Sequence, residues 1–450
     1  MTDGENLMKN RPIAVDLFAG VGGMSLGFEQ AGFDVVAAVE IDPVHCAAHL
    51  FNFPKCAVIP RSVVGLTAAE IRLAAGIGDR EVDCVFGGPP CQGFSMIGKR
   101  AFDDPRNDLV KEFVRIVRDL KANSFVFENV KGLTVGRHRQ FLRELVEEFK
   151  AAGYEVTEPY QVLNAANFGV PQSRERLILA GVRKNIGTFD YPHPRFAIPR
   201  KGADGTDLKA GPTCKDALGD LPNAEDFSTL LATDSVRTGR YGVGSEYARE
   251  MRCQTNDCWH HGHPRVWDPS IMTSSARTKH SDISKRRFKE TPEGYVEPIS
   301  RFLKLHPNGV CNTLRAGTDG ARGAFTSPRP IHYSFNRCVT VREMARLHGY
   351  PDWFRFNVTK WHGARQIGNS VPPPLAREVA YRMMAALNAI PQMQSEAIGL
   401  GSELLLQMDL SSASSHFGIA PPPSKRTMKS GSKKRKQLDI EAEYMKLRAI

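Results

Sequence analysis

No apolar run in this sequence approaches the ~18 residues that a membrane-spanning helix needs, and the N-terminus carries no apolar core of the signal-peptide kind. Those two absences argue against a membrane or secreted protein and predict a protein that works inside the cell. Disulfide-scaffold spacing is missing too. The nine cysteines are an odd number without a small-scaffold pattern, which fits reduced thiols in a reducing compartment. A zinc pattern is absent: Cys253, Cys258, His260, His261 and His263 are spaced Cys-x4-Cys-x2-His-x-His, and the two-residue His-x-His crowds a tetrahedral site. Free thiols, surface histidines and no metal are expected there. No internal repeat is visible.

What is present is ordinary for a globular protein: 450 residues, 41% apolar and 24% charged, enough for two domains plus extensions. The net charge of +11 suggests a polyanionic partner, although much of the excess lies in one tail.

The N-terminal ten residues are a polar extension. A strand is then predicted over 13–17, running into a glycine-rich turn at Gly20, Gly22 and Gly23 and a helix beyond it. Glycines there let a ligand approach backbone N–H groups at a helix N-terminus. A second strand, 34–39, ends in Glu40-Ile41-Asp42 about twenty residues later, where a carboxylate can accept the hydroxyls of a ribose. No Lys-Ser/Thr follows the glycines, which argues against a phosphate loop. The competing reading is a structural turn with a strand-end carboxylate.

Further on, the pattern predicts a helix around 45–50, a strand near 57–64, a helix from Thr67, and a strand over 82–86. That strand stops at Gly87-Gly-Pro-Pro-Cys-Gln-Gly-Phe-Ser95, around which the chain is organised. Two prolines fix the backbone and present one thiol, Cys91, as a nucleophile would be held. Taken alone, a single cysteine is as readily a small buried hydrophobe. A basic loop, 96–106, leads to a helix through Leu109 and Leu120. Strand 124–127 ends in Glu128-Asn129-Val130, which places a carboxyl at the ligand end of a parallel sheet. A helix (141–149), a strand (154–163), Gln172-Ser-Arg-Glu-Arg176 and a strand (177–182) follow. The alternation predicts an α/β fold: a doubly wound, mostly parallel sheet with helices on both faces.

In this order the segments DLFAGVGG (16–23), Glu40-Ile-Asp, GGPPCQGFS (87–95), Glu128-Asn-Val, Gln172-Ser-Arg-Glu-Arg176 and RQIGNSVPPPLA (365–376) resemble the DNA cytosine-5 methyltransferases of restriction-modification systems. The resemblance covers about residues 11–390. It implies S-adenosylmethionine as cofactor and a cytosine flipped out of duplex DNA as substrate. Cys91 would add to carbon 6 of the base, Glu128 would supply a proton near N3, and Arg174 and Arg176 would contact the base carbonyl and the active-site backbone. Cofactor contacts would come from Phe18, Gly20, Val21, Gly23, Glu40, Ile41, Pro90, Leu109, Asn369, Ser370 and Val371. Ser62 stands where the family usually has an Asp that meets the adenine amino group.

The resemblance also divides the chain. Residues 11–183 form the first part of the catalytic and cofactor domain, 184–337 a target-recognition region, and 338–390 a closing segment that completes the catalytic domain. Residues 391–450 are read as a disordered basic tail, with Lys425, Arg426, Lys429 and 433–436 free of acids. DNA contacts are expected from Lys99, Arg100 and Arg106 in the loop and from Arg277, Lys279, Arg286 and Arg287, with His280 and Lys285 in the same basic cluster. Thr340-x-x-Glu343 is a capping box opening a helix before Pro351. The partners implied are double-stranded DNA and a cognate restriction endonuclease, with a monomer sufficient and a prokaryotic cytoplasm as the location. Two further readings stay open: a cytosine-5 tRNA methyltransferase, and a non-catalytic DNA-binding module of the same fold.

Overall fold

The structure, a computed structural model, describes residues 11–90, 107–136, 138–199, 207–318 and 326–421. The first part of the chain alternates strand and helix: β1 (Ile13–Leu17), α1 (Gly23–Ala31), β2 (Asp34–Val39), α2 (Pro43–Asn52), β3 (Ala57–Ile59), α3 (Ala68–Ala75), β4 (Cys84–Gly87), α4 (Asp108–Asp119), β5 (Ser124–Val130), α5 (His138–Ala151), β6 (Tyr154–Val156), β7 (Gln161–Asn164) and β8 (Glu175–Arg183). The strands form one sheet in the order β3-β2-β1-β4-β5-β8-β6, with β7 also paired to β8. Pairings among β1 to β5 are parallel, and β8 runs antiparallel to β5, β6 and β7. One reversed strand in an otherwise parallel sheet is the mostly parallel, doubly wound fold that the sequence predicts.

Burial on both faces explains why β1 is apolar except at Asp16. Ile13, Val15 and Leu17 face a cluster completed by α3, α4 and α5, while Ala14 faces a second one containing Met24 and Phe28 of α1. In the second cluster Phe28 stacks on Phe86, with ring centroids 3.7 Å apart. The stretch predicted as one strand over 154–163 is two, because the chain turns at 157–160, around Pro159, before resuming its pairing with β8.

Between β8 and residue 340 the described residues hold three helices, α6 (Cys214–Leu218), α7 (Glu246–Met251) and α8 (Asp282–Glu290), and three two-residue strands, β9 (Val236–Arg237), β10 (Arg265–Val266) and β11 (Ile271–Met272). Three more helices follow: α9 (Val341–His348), α10 (Lys360–Asn369) and α11 (Pro373–Ala386). The capping box predicted at the start of α9 is present. Helix α11 returns to the sheet and lies on α1, where a side chain at Gly27 would collide with Ala376 and the backbone of Arg377.

The tail reading needs correction for residues 391–421. These carry β12 (Ile398–Gly399), parallel to β10, and the helices α12 (Leu404–Gln407) and α13 (Leu410–His416). Leu405, Leu406 and Ala413 are buried, Gly401 donates to the carbonyl of Phe51, and Val358 donates to that of Leu406. The polar composition hid these apolar anchors, two of them adjacent in α12 and the third in α13. Residues 422–450, with the basic run, lie outside the described residues.

Candidate active site

Strand β4 ends in glycine because its end leaves no space for a side chain. A Cβ at Gly87 would strike the Leu17 carbonyl, and one at Gly88 would strike the Glu128 carboxylate. The turn leading to Cys91 therefore lies directly against Glu128, at the end of the neighbouring strand β5. The next residue of β5 fixes that turn: the Asn129 side-chain amide donates to the Pro89 carbonyl at 2.9 Å. Asn129 stands in the quoted Glu-Asn-Val motif, and its place beside Glu128 was the signal for its role. Cys91 itself lies outside the described residues, as do Lys99, Arg100 and Arg106.

Glu128 is 9% exposed, and its carboxylate meets Arg176 Nε at 2.6 Å. Burial pushes its pKa above the usual carboxylate range, while Arg176 and then Arg174 pull it down; burial prevails. The pair joins β5 to β8, whose antiparallel register sets Val130 opposite Arg176. A carboxyl that holds its proton at higher pH than usual, with a guanidinium beside it, can donate a hydrogen bond to a ring nitrogen and accept the proton back.

Arg174 meets backbone. It is 1% exposed, and its guanidinium donates to the carbonyls of Leu314 (2.9 Å), Gly368 (2.9 Å) and Ser370 (2.8 Å). Its terminal donors tie two distant segments together and do not face a base. Gln172 extends the tie: its carbonyl oxygen accepts from Leu314 N at 3.0 Å, and its amide donates to His348 Nδ1 at 2.9 Å. His348 completes the junction by reaching the Ser370 carbonyl through Nε2 at 3.2 Å. Helical spacing alone gave no sign of His348.

The residues expected to hold a cofactor gather around the first turn. Phe18 takes a left-handed backbone with φ 65°. Gly20 is left-handed as well, and no described residue stands within 4 Å of where a Cβ would be, so its backbone borders open space among the described residues. Its N–H donates to one oxygen of Glu40 at 2.8 Å, while the other oxygen accepts from Asp42 N at 2.8 Å. Ile41 is 62% exposed beside that carboxylate, an apolar surface that the described residues leave uncovered. Val21 points into the core, so it can meet a ligand only through its backbone. Gly23 lies under the closing segment, where a side chain would collide with the Val371 carbonyl and Ser370. Ser62 is half-buried, and its Oγ accepts from Val64 N at 3.1 Å. Leu109 packs on the sheet cluster, whereas Pro90 and Asn369 are exposed. Beneath the turn the Ser25 hydroxyl donates to Asp16 at 2.6 Å and meets His49 Nε2 at 3.1 Å, a buried brace that was not foreseen.

The expected DNA contacts divide. Lys279 and Arg286 are exposed. Arg287 is 5% exposed and ion-paired with buried Glu297 at 3.7 Å, and half-buried Arg277 donates to the Glu225 carbonyl at 2.7 Å. These two support the region from within and are withdrawn as phosphate contacts. Lys285 pairs with Glu225 at 2.9 Å, and His280 Nε2 accepts from Cys338 N at 3.2 Å. Among the described residues no group of three metal-ligating side chains occurs, and no helix is long and apolar enough to cross a membrane.

A parallel sheet with one reversed strand, a glycine turn and a buried carboxylate–guanidinium pair defines an α/β transferase site. Comparison with known proteins names its class. The family profile of the C-5 cytosine-specific DNA methylases matches residues 13–385. The Type II methyltransferase M.XorII of Xanthomonas oryzae pv. oryzae is 55% identical over 410 residues, covering 91% of this chain and 93% of its own. M1.HphI of Haemophilus parahaemolyticus is 35% identical, covering 81% and 85%. Among solved structures, a DNA modification methyltransferase encoded within an E. coli prophage matches with a TM-score of 0.67 and 33% identity, over 84% of this chain and 99% of its own. The chain belongs to the C-5 cytosine-specific DNA methylases, and it is a DNA (cytosine-5-)-methyltransferase of the restriction-modification type.

Proposed function

We propose that the protein methylates carbon 5 of a cytosine flipped out of a specific double-stranded DNA sequence, with S-adenosylmethionine as cofactor and Cys91 as nucleophile. The observation that carries this reading is the buried Glu128–Arg176 pair at 2.6 Å, lying against the glycine turn that leads into Cys91. The cofactor reading rests on Gly20, whose backbone borders open space, and on the exposed Ile41 beside Glu40. An open backbone, an apolar platform and a carboxylate suit a nucleoside with a ribose diol. When bound, S-adenosylmethionine supplies an electrophilic methyl group.

The chain's own residues make the base reactive. Carbon 5 of cytosine is a poor nucleophile until a thiolate adds to carbon 6, and Cys91 makes that bond. Glu128 provides a proton at N3 as charge builds on the ring, which its raised pKa allows, and Arg176 holds the carboxyl in place. Loss of the carbon 5 proton to solvent, return of the N3 proton to Glu128 and expulsion of the Cys91 thiolate then release the methylated base. Exposed Lys279 and Arg286 serve the DNA backbone. The setting is a prokaryotic cytoplasm, with the enzyme acting as a monomer and protecting DNA from an endonuclease that reads the same sequence.

The test is to express the protein in a host lacking cytosine methylation and to map 5-methylcytosine at base resolution. We expect methylation confined to one short motif and none from Cys91→Ala. Full methylation by Cys91→Ala would remove the nucleophile, and unmodified DNA from soluble wild-type protein would remove the reaction.

A further inference from the structure

Four residues, Gly368 to Val371, are pressed between two parts of the molecule that have separate tasks. On one side a Cβ at Gly368 would collide with the backbone of Arg315 and Ala316, which belong to the segment returning from the recognition region. On the other side Ser370 and the Val371 carbonyl lie against Gly23, in the turn that borders the cofactor space. At Gly368 backbone lies on backbone, and at Gly23 the Val371 carbonyl lies on the turn beside the Tyr350 hydroxyl and Ser370 Cβ, so neither contact leaves slack to absorb a displacement. Close-packed contacts of this kind transmit small shifts instead of damping them.

The junction described above locks this segment from behind. Arg174 holds Leu314 on the recognition side and Gly368 and Ser370 on the cofactor side with one guanidinium. Gln172 and His348 close the same loop from Leu314 to Ser370. Burial, reinforced by Arg174 and Arg176, keeps His348 neutral. A neutral ring accepts at Nδ1 from Gln172 and donates at Nε2 to the Ser370 carbonyl, which is the pattern the distances require.

The segment is also the end of α10, and the start of that helix is tied to the recognition region. Lys360 Nζ donates to the Arg277 carbonyl at 2.9 Å, and Trp361 Nε1 donates to the Thr318 carbonyl at 3.1 Å. One helix thus touches the recognition region at its first turn and, through its C-terminal extension, the cofactor turn.

We propose that α10 and residues 368–371 couple the two ligands, so that a filled cofactor site favours the recognition-region arrangement that grips DNA, and bound DNA favours the cofactor in return. Gly368, Arg174, His348 and Trp361 are positioning residues in this coupling. The inference rests on the proposed use of S-adenosylmethionine. Linkage requires the effect to be equal in both directions, and couplings of this type span about 5–150-fold.

The experiment measures binding, not turnover. The full-length protein is titrated with a duplex oligonucleotide carrying the mapped motif, with and without saturating S-adenosylhomocysteine, and S-adenosylhomocysteine is titrated with and without the duplex. In the wild type each ligand is expected to tighten the other by the same factor, about tenfold. In Gly368→Ala that factor should fall toward one. Trp361→Phe removes the indole N–H and one of its two rings at a half-buried position, so it should fold, bind S-adenosylhomocysteine alone as the wild type does, and lose part of the factor. Wild-type coupling left unchanged in both variants, or no coupling in the wild type, overturns the inference while leaving the methyltransferase reading intact. Failure of the wild type to bind S-adenosylhomocysteine at all overturns the cofactor reading itself, and this inference with it.

Discussion

Strand β1 and helix α9 are both fully buried, yet opposite chemistry holds them. Strand β1 is buried along its whole length with mostly apolar side chains, and its neighbours in the sheet clusters are Val, Leu, Ile and Phe. Every residue of α9 is buried as well, and they include Arg342, Glu343, Arg346 and His348. Arg346 forms ion pairs with Asp352 (2.5 Å) and Asp220 (3.1 Å), and Arg337 forms a bidentate pair with Glu343, both bonds 2.8 Å long. Arg342 donates to the carbonyls of Pro351 and Phe354. A sheet can satisfy its polar groups through its own ladder and bury apolar surface freely. The segment that α9 opens and the irregular stretch before it have little regular ladder of their own, so buried arginines serve their carbonyls and carboxylates instead.

The sharpest break in this comparison is Arg346→Ala. Removing one partner from a buried ion network leaves Asp220 and Asp352 without a countercharge, at a cost of about 3–5 kcal/mol. Leu179→Ala in the sheet should cost a similar ~2–5 kcal/mol by leaving a cavity. What separates them is rescue. Adding Asp220→Asn and Asp352→Asn to Arg346→Ala should restore part of the loss in urea unfolding, because the stranded charges are gone. A triple variant no more stable than the single one would show that packing, not charge, sets the cost.

Acid sharpens the contrast next. Burial alone would raise the Glu343 carboxyl, but Arg337 outweighs it and holds the pKa down to about 2. A folded value below the unfolded one means that the pair stabilises the protein above about pH 4.5 and loses that contribution as pH falls toward 2. Glu128 has the opposite sign: its pKa is raised, so the folded state binds its proton more tightly and its contribution is lost as pH rises through the folded value. Denaturant midpoints between about pH 5 and 3 should therefore fall less steeply for Glu343→Gln than for the wild type. Parallel curves would mean that the recognition side does not titrate first.

The same contrast decides what could be read from the sequence. Strands β1 and β2 stand where their apolar runs place them, a helix follows Thr67 as predicted, and the Thr340 capping box opens its helix as its spacing indicates. Glu128 was legible because a carboxyl at a strand end has few structural uses. For Arg174 the sequence could not tell a guanidinium that satisfies backbone carbonyls from one that meets a base. Its partners Leu314, Gly368 and Ser370 lie 140 to 196 positions away, and no local pattern encodes them. Leu405 and Leu406 escaped notice for another reason: a short anchor in polar surroundings has no period to detect.

The smallest expected effect tests the division inside one basic run. Arg286 and Arg287 are neighbours on α8, one exposed and one buried. Buried Glu297 pairs with Arg287 and accepts from the backbone N–H groups of Ile299 and Ser300, so the pair braces the loop that follows α8. A phosphate contact releases counterions, and its loss weakens binding to any sequence while lowering the slope of log affinity against log salt by about one. Arg286→Ala should show that change without loss of thermal stability. Arg287→Ala should do the reverse, lowering stability because Glu297 is left buried without its partner and leaving the salt slope where it was. If Arg287→Ala lowers the slope and Arg286→Ala does not, the buried residue faces DNA, and the claim that this region keeps its arginines for itself fails at the position where it is most easily checked.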